Sequence, residues 1–145
     1  MTRNSAGLIR AGEKINNISW NILGQTYLPK MLSAECFSWH ATFPPGTFVP
    51  PHSHSTQDEY VYILEGEMTF WLDGEEFKAG PGDLARLPRQ RPHGIFNKSA
   101  ASVRCLFWVT PTGRLFDLFE AIHDLADPAQ VVAVAEKHEV HFLPE

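Results

Sequence analysis

Residues 46–66 read GTFVPPHSHSTQDEYVYILEG, and this stretch decides the fold. His52 and His54 stand two residues apart, so an extended chain points both imidazoles to one face. Glu59 opens the run EYVYIL, whose β-branched and aromatic residues read as the following strand. Pro44-Pro45-Gly46 stops the chain before this stretch, and Gly66 turns it afterwards.

The same strand-and-turn rhythm continues on both sides. Upstream, Phe37, Trp39, Ala41 and Phe43 alternate with Ser38, His40 and Thr42, the period of a half-buried strand. Downstream, Met68, Phe70 and Leu72 alternate with Thr69 and Trp71. Asp73-Gly74 is a two-residue hairpin signal, because a type I′ turn needs positive φ at both central positions. Glu75–Lys78 returns as a strand, Gly80-Pro81-Gly82-Asp83 turns, Leu84–Leu87 is a short strand and Pro88–Pro92 a loop. Val103, Cys105, Phe107 and Val109 mark the last long strand. After Pro111 the period changes: Leu115, Leu118, Phe119, Ile122 and Leu125 fall at helical spacing. Asp127 reads as an N-cap with Pro128 at the first helical position of a second helix ending near Lys137. The expected plan is a sandwich or barrel of short antiparallel strands followed by two short C-terminal helices. Residues 1–14 are expected to form a loose arm. Residues 15–145 are expected to form one domain, with the barrel at about 33–110 and the helical tail at 113–145.

A chain of 145 residues, 43% hydrophobic and 20% charged, is long enough to bury a core without a disulfide or a metal. Its net charge of -5 and its lack of a Lys/Arg cluster argue against nucleic acid and membrane surfaces as partners. Cys36 and Cys105 lie in apolar runs and form no CxxC pair. Free buried thiols are expected, with one disulfide as the alternative in an oxidising compartment. No signal-peptide core and no apolar stretch of membrane-spanning length is seen, so a cytoplasmic location is the default expectation.

The residues that carry chemistry are His52, His54, Glu59 and His93. Three imidazoles and a carboxylate suit one borderline divalent transition metal: Fe, Mn, Ni, Co, Cu or Zn. Four protein ligands on a six-coordinate ion leave about two positions open, as a catalytic metal needs. The other histidines, His40, His123, His138 and His141, are read as surface or packing residues. Strand parity predicts Val61 and Ile63 beside Glu59, and Phe48 and Pro50 beside His52, as pocket-lining residues. Met68 and Phe70 belong to the same predicted apolar lining, and for all six residues plain barrel core is the favoured alternative.

Residues 46–66 match the first motif of the cupin superfamily, G(X)5HXH(X)3,4E(X)6G, at Gly46, His52, His54, Glu59 and Gly66. Residues 82–97, GDLARLPRQRPHGIFN, match the second, G(X)5PXG(X)2H(X)3N, at Gly82, Pro88, His93 and Asn97. Gln90 stands where the family usually has glycine, so the Pro88–Pro92 loop is expected to bend differently. The chain therefore resembles a cupin, and its tail resembles that of small single-domain bacterial cupins named quercetin 2,3-dioxygenase-like. The resemblance implies an all-β double-stranded β-helix, a jelly-roll barrel, with the four ligands holding a metal near one mouth. It implies a small chelating organic substrate and a Glu59 able to leave the metal and act as general base. Three activities stay open: a quercetinase-like dioxygenase, a non-redox isomerase, cyclase or decarboxylase, and a non-catalytic ligand-binding module. Tyr60, Tyr62 and Leu64 are expected on the outer face of their strand, where a second subunit would form a homodimer.

Overall fold

The computed structural model describes residues 6–144; residues 1–5 of the expected arm lie outside the described residues. Eleven strands and two helices follow in order: β1 (Trp20–Ile22), β2 (Gln25–Leu32), β3 (Phe37–Phe43), β4 (Phe48–His54), β5 (Asp58–Glu65), β6 (Met68–Leu72), β7 (Glu75–Ala79), β8 (Leu84–Leu87), β9 (His93–Phe96), β10 (Val103–Thr110), α1 (Leu115–Ile122), α2 (Pro128–Glu136) and β11 (Val140–Phe142). They form two antiparallel sheets, ordered β1-β2-β3-β10-β5-β8 and β11-β4-β9-β6-β7. Their inner faces pack together as a jelly roll, the double-stranded β-helix anticipated from the motifs.

Alternation explains the packing. In β3, Phe37, Trp39, Ala41 and Phe43 are buried while Ser38, His40 and Thr42 are half-buried. β10 alternates in the same way against both β3 and β5. The Asp73-Gly74 hairpin has φ of 50° and 89°, the two positive values a type I′ turn requires.

The sheet reaches further towards the N-terminus than the motif-bearing strands suggest. β1 and β2 extend it back to Trp20, before the expected barrel start near residue 33. Pro29 obscures β2, because proline normally disqualifies an inner strand. A register shift between Pro29 and Met31 accommodates it. Residues 10–13 form a turn to which Lys30 donates through its ammonium, at the carbonyls of Arg10 and Glu13.

Two motif residues have plain structural duties. The buried Asn97 donates to the carbonyls of Phe43 and Ala101, both at 2.8 Å, tying the ends of β3 and β10 together. Gly66 has φ of +87°, and a Cβ there would stand 2.9 Å from the carbonyl oxygen of Ser102. Gly66→Ala is therefore expected to cost about 2–4 kcal/mol, from the left-handed backbone and the contact together. Urea denaturation checks it; a loss under about 0.5 kcal/mol would contradict the reading.

Gln90 adopts φ of +65°, a left-handed conformation that favours glycine. Its N–H donates to the carbonyl of His54 at 2.7 Å, which helps to hold it there.

The helical tail roofs one end of the barrel. α1 buries Leu115, Phe116, Leu118, Phe119 and Ile122. Phe116 meets Trp20 edge-on at 5.1 Å, and Phe119 meets Tyr27 and Trp39 edge-on, each at 5.1 Å. At about 1.5–3 kcal/mol per buried side chain, this face holds the tail far more firmly than any cap. Asp127 caps α2 by accepting from the Ala129 N–H at 3.0 Å. β11, absent from the sequence reading, then pairs with β4, placing Val140 opposite His54 and Phe142 opposite His52.

Cys105 is buried and Cys36 half-buried; both are free. Among the described residues no helix is long and apolar enough to cross a membrane.

Candidate metal centre

His52, His54, Glu59 and His93 are all buried, and one donor atom from each lies within 4.8 Å of the others. β4 supplies the two histidines of the HxH pair and β5 supplies Glu59. β9 supplies His93, which stands directly opposite His52 in the β4–β9 ladder. The rings of His52 and His93 are 4.4 Å apart. His93 Nε2 is 3.1 Å from Glu59 Oε2, and His54 Nε2 is 3.8 Å from Glu59 Oε1. Metal–nitrogen bonds of about 2.1 Å put neighbouring ligands some 3 Å apart and opposite ligands some 4.2 Å apart. The four donors fit one cation with a few tenths of an ångström of contraction.

The imidazoles are held in the tautomer that a metal needs. His52 Nδ1 donates to the Pro50 carbonyl at 2.8 Å, and His93 Nδ1 faces the Arg91 carbonyl at 3.3 Å. A carbonyl can only accept, so the proton sits on Nδ1. His54 Nδ1 donates to Gln57 Oε1 at 2.8 Å. The Gln57 amide cannot be turned round, because its Nε2 donates to the carbonyls of Pro111 at 3.1 Å and Thr112 at 2.6 Å. His54 Nε2 is then buried without any hydrogen-bond partner. An unpaired buried nitrogen beside a carboxylate is costly alone and is satisfied by a cation.

Electrostatics agrees. Burial pushes His52 well below the ordinary imidazole range, aided by neighbouring His93 and His54. Burial also lowers His54, with Glu59 opposing it. Burial raises the Glu59 carboxyl, but positive charge on the histidines around it, His93 against its Oε2 first, outweighs burial and holds the group at about 2; a bound cation would supply that charge in place of protons. Neutral imidazoles and an ionised carboxylate are the ligating forms.

Gln57 is a site residue that the sequence reading missed; nothing in its spacing marks it. Gln57→Met keeps the bulk and removes the acceptor. It is expected to weaken metal binding by about 10–100-fold, the usual effect of losing a ligand's outer partner. Isothermal titration measures it; affinity within twofold of wild type would contradict the role.

Three of the donors, His52, His54 and Glu59, open onto an apolar cavity of about 50 Å³, room for roughly three waters. Tyr27, Trp39, Val49, Ile95 and Phe107 line it from the barrel, and Leu118, Phe119, Ile122, Val131 and Phe142 from the roof. The predicted lining lies elsewhere. Val61, Ile63, Met68 and Phe70 are wholly buried in the core and do not border this cavity. Phe48 is 47% exposed and stacks on Phe96 on the outside. Pro50 borders an outer groove. The β4–β9 register explains Phe48: Val49 pairs with Ile95 and His52 with His93, so β4 carries one extra residue at Pro50-Pro51. That bulge inverts parity and turns Val49, not Phe48, inward.

The remaining histidines make ordinary contacts. His123 Nδ1 accepts from the Asn21 N–H at 2.9 Å, and His138 Nδ1 donates to the Val134 carbonyl at 2.8 Å. His141 bridges Ser55 and Glu136, fastening β11 to β4. The Nε2 of His40 is buried and unpaired.

The family profile described as Cupin domain (Cupin_2) matches residues 39–109. Quercetin 2,3-dioxygenase of Bacillus subtilis (strain 168) is 40% identical over 50 residues, 34% of this chain and 15% of that protein. Tetracenomycin polyketide synthase protein TcmJ of Streptomyces glaucescens is 29% identical over 75 residues, 52% of this chain and 50% of that protein. The chain thus spans half or less of the curated relatives it matches. Among solved structures, an RmlC-like cupin from Shewanella frigidimarina NCIMB 400 superposes with a TM-score of 0.66 at 18% identity, over 80% of this chain and 99% of that one. The matched stretch runs from β3 to β10 and holds all four donors, so this chain belongs to the cupin superfamily.

Proposed function

We propose that the protein is a metal-dependent enzyme acting on a small chelating organic substrate, with His52, His54, Glu59 and His93 as the ligands. The observation that carries this is the four-donor set, of which His52, His54 and Glu59 line an apolar cavity. One face of the cation is left to a ligand other than protein. A divalent transition metal supplies Lewis acidity there and, where redox-active, electrons for O₂ chemistry. The chain's own residues orient the ligands through Gln57 and the Pro50 and Arg91 carbonyls, and exclude water with the aromatic wall. Glu59 is the proposed general base. Its low value depends on His93 and the other imidazoles, while burial alone raises it. Turning from those partners towards a substrate hydroxyl makes it a stronger base.

The favoured reaction is quercetinase-like dioxygenation, supported by the likeness to the Bacillus dioxygenase. A non-redox cyclase or isomerase is the second reading, favoured by the likeness to TcmJ, which covers more of both chains. Metal analysis of the purified protein followed by oxygen-electrode assays with flavonols and β-diketones separates them. Iron, manganese, nickel, cobalt or copper with O₂ uptake supports the first. Zinc and no uptake removes the first and leaves the second and the non-catalytic ligand-binding reading.

Assembly as a homodimer belongs to this proposal. Tyr62 and Leu64 are 38% and 46% exposed on β5 beside the more exposed Leu84 of the edge strand β8, an apolar patch on the outer face of that sheet. A monomer by light scattering at micromolar concentration would remove it.

A further inference from the structure

An outer groove of about 420 Å³ between β4 and α2 is lined by Leu23, Pro50, Val132 and Leu143. Leu23, Val131 and Phe142 border both spaces. These three side chains are therefore the wall between solvent and the metal cavity. The inner cavity alone is far below the ~300–1,000 Å³ of ordinary small-molecule sites. The groove has that room but borders none of the four donors, whereas the cavity borders donors but lacks the room.

The wall has one costly part. Leu23 sits in the β1–β2 turn with φ of +53°, followed by Gly24 at +85°. A bulky non-glycine residue in this conformation is an outlier, and asparagine or glycine would hold the turn at less strain. The turn is fixed to the end of α1: Asn21 N–H donates to His123, and Asp124 N–H donates to the Asn21 carbonyl. A strained leucine held by such bonds at the mouth of a cavity fits a duty at that mouth.

We propose that the groove is the entry and body-binding subsite for the substrate, and that Leu23, Val131 and Phe142 form a gate that sets which molecules reach the metal. This rests on the metal-centre reading above. Azide or O₂ passes the closed wall. A planar aromatic chelator passes only when the side chains part, with its donor atoms at the cation and its apolar body in the groove.

The test uses the full-length protein loaded with cobalt(II), followed by stopped-flow absorption. Azide and 8-hydroxyquinoline are the small and bulky probes. Phe142→Ala should accelerate the reaction with 8-hydroxyquinoline at least tenfold and change that with azide less than twofold. Val132→Trp, on the exposed lip of the groove and away from the core, should slow 8-hydroxyquinoline at least fivefold and spare azide. Equal 8-hydroxyquinoline rates in all three proteins would overturn the gate. Equal acceleration of both probes would also overturn it, by showing a loosened roof without size selection. Absence of any protein-bound cobalt spectrum in the wild type would remove the metal centre itself, and the gate with it.

Discussion

Replacing His93 by alanine is expected to weaken divalent-metal binding more than a hundredfold in competition against a chromophoric chelator. Four-ligand sites bind zinc with about 10–16 kcal/mol, so one ligand carries on the order of 3 kcal/mol, and 1.4 kcal/mol is tenfold. His93 is wholly buried and is also Glu59's partner at 3.1 Å, so no neighbour replaces it. His93→Asn retains bulk and is expected to show a similar loss, which separates ligation from packing. Affinity within threefold of wild type in a folded variant would end the four-ligand assignment.

The metal-free protein is expected to lose stability steadily on acidification below about pH 6.5. His52 and His54 bind their protons less readily in the fold than in the unfolded chain. Between the two values the unfolded chain holds more protons, so stability falls as pH falls. Each such histidine contributes a slope of about 1.4 kcal/mol per pH unit across its window. Glu59 acts in a second window: its value of about 2 against 4.5 unfolded stabilises the fold above pH 4.5, and that contribution fades as pH falls towards 2. Over this range it amounts to about 3 kcal/mol. Urea midpoints of the metal-free protein across pH 8 to 3 measure both windows. A flat profile between pH 7 and 5 would contradict the histidine contribution, and an unaltered profile below 4.5 in Glu59→Gln would contradict that of the carboxylate.

The four-donor cluster was legible because HxH and the second-motif histidine lie at fixed spacings, and strands deliver residues two apart to one face. The lining was not, because one extra residue at Pro50-Pro51 reverses parity, and a proline pair does not announce a bulge. The face of α1 was legible as Leu115, Leu118, Phe119 and Ile122, but helical spacing does not say which surface the face covers. Gln57 escaped for a different reason. Its role comes from carbonyls of Pro111 and Thr112, more than fifty residues further on, and main-chain acceptors leave no mark in a sequence.

Those two carbonyls sit at the junction where the last barrel strand gives way to the helical tail. The family profile stops at residue 109, whereas eight of the eighteen residues lining the cavity come after it. On the proposed function, reactivity and selectivity would then lie in separable modules. Grafting a different tail onto this cup should change what is admitted without altering the ion it prefers, provided the graft keeps the Thr112 hinge-pin that steadies His54.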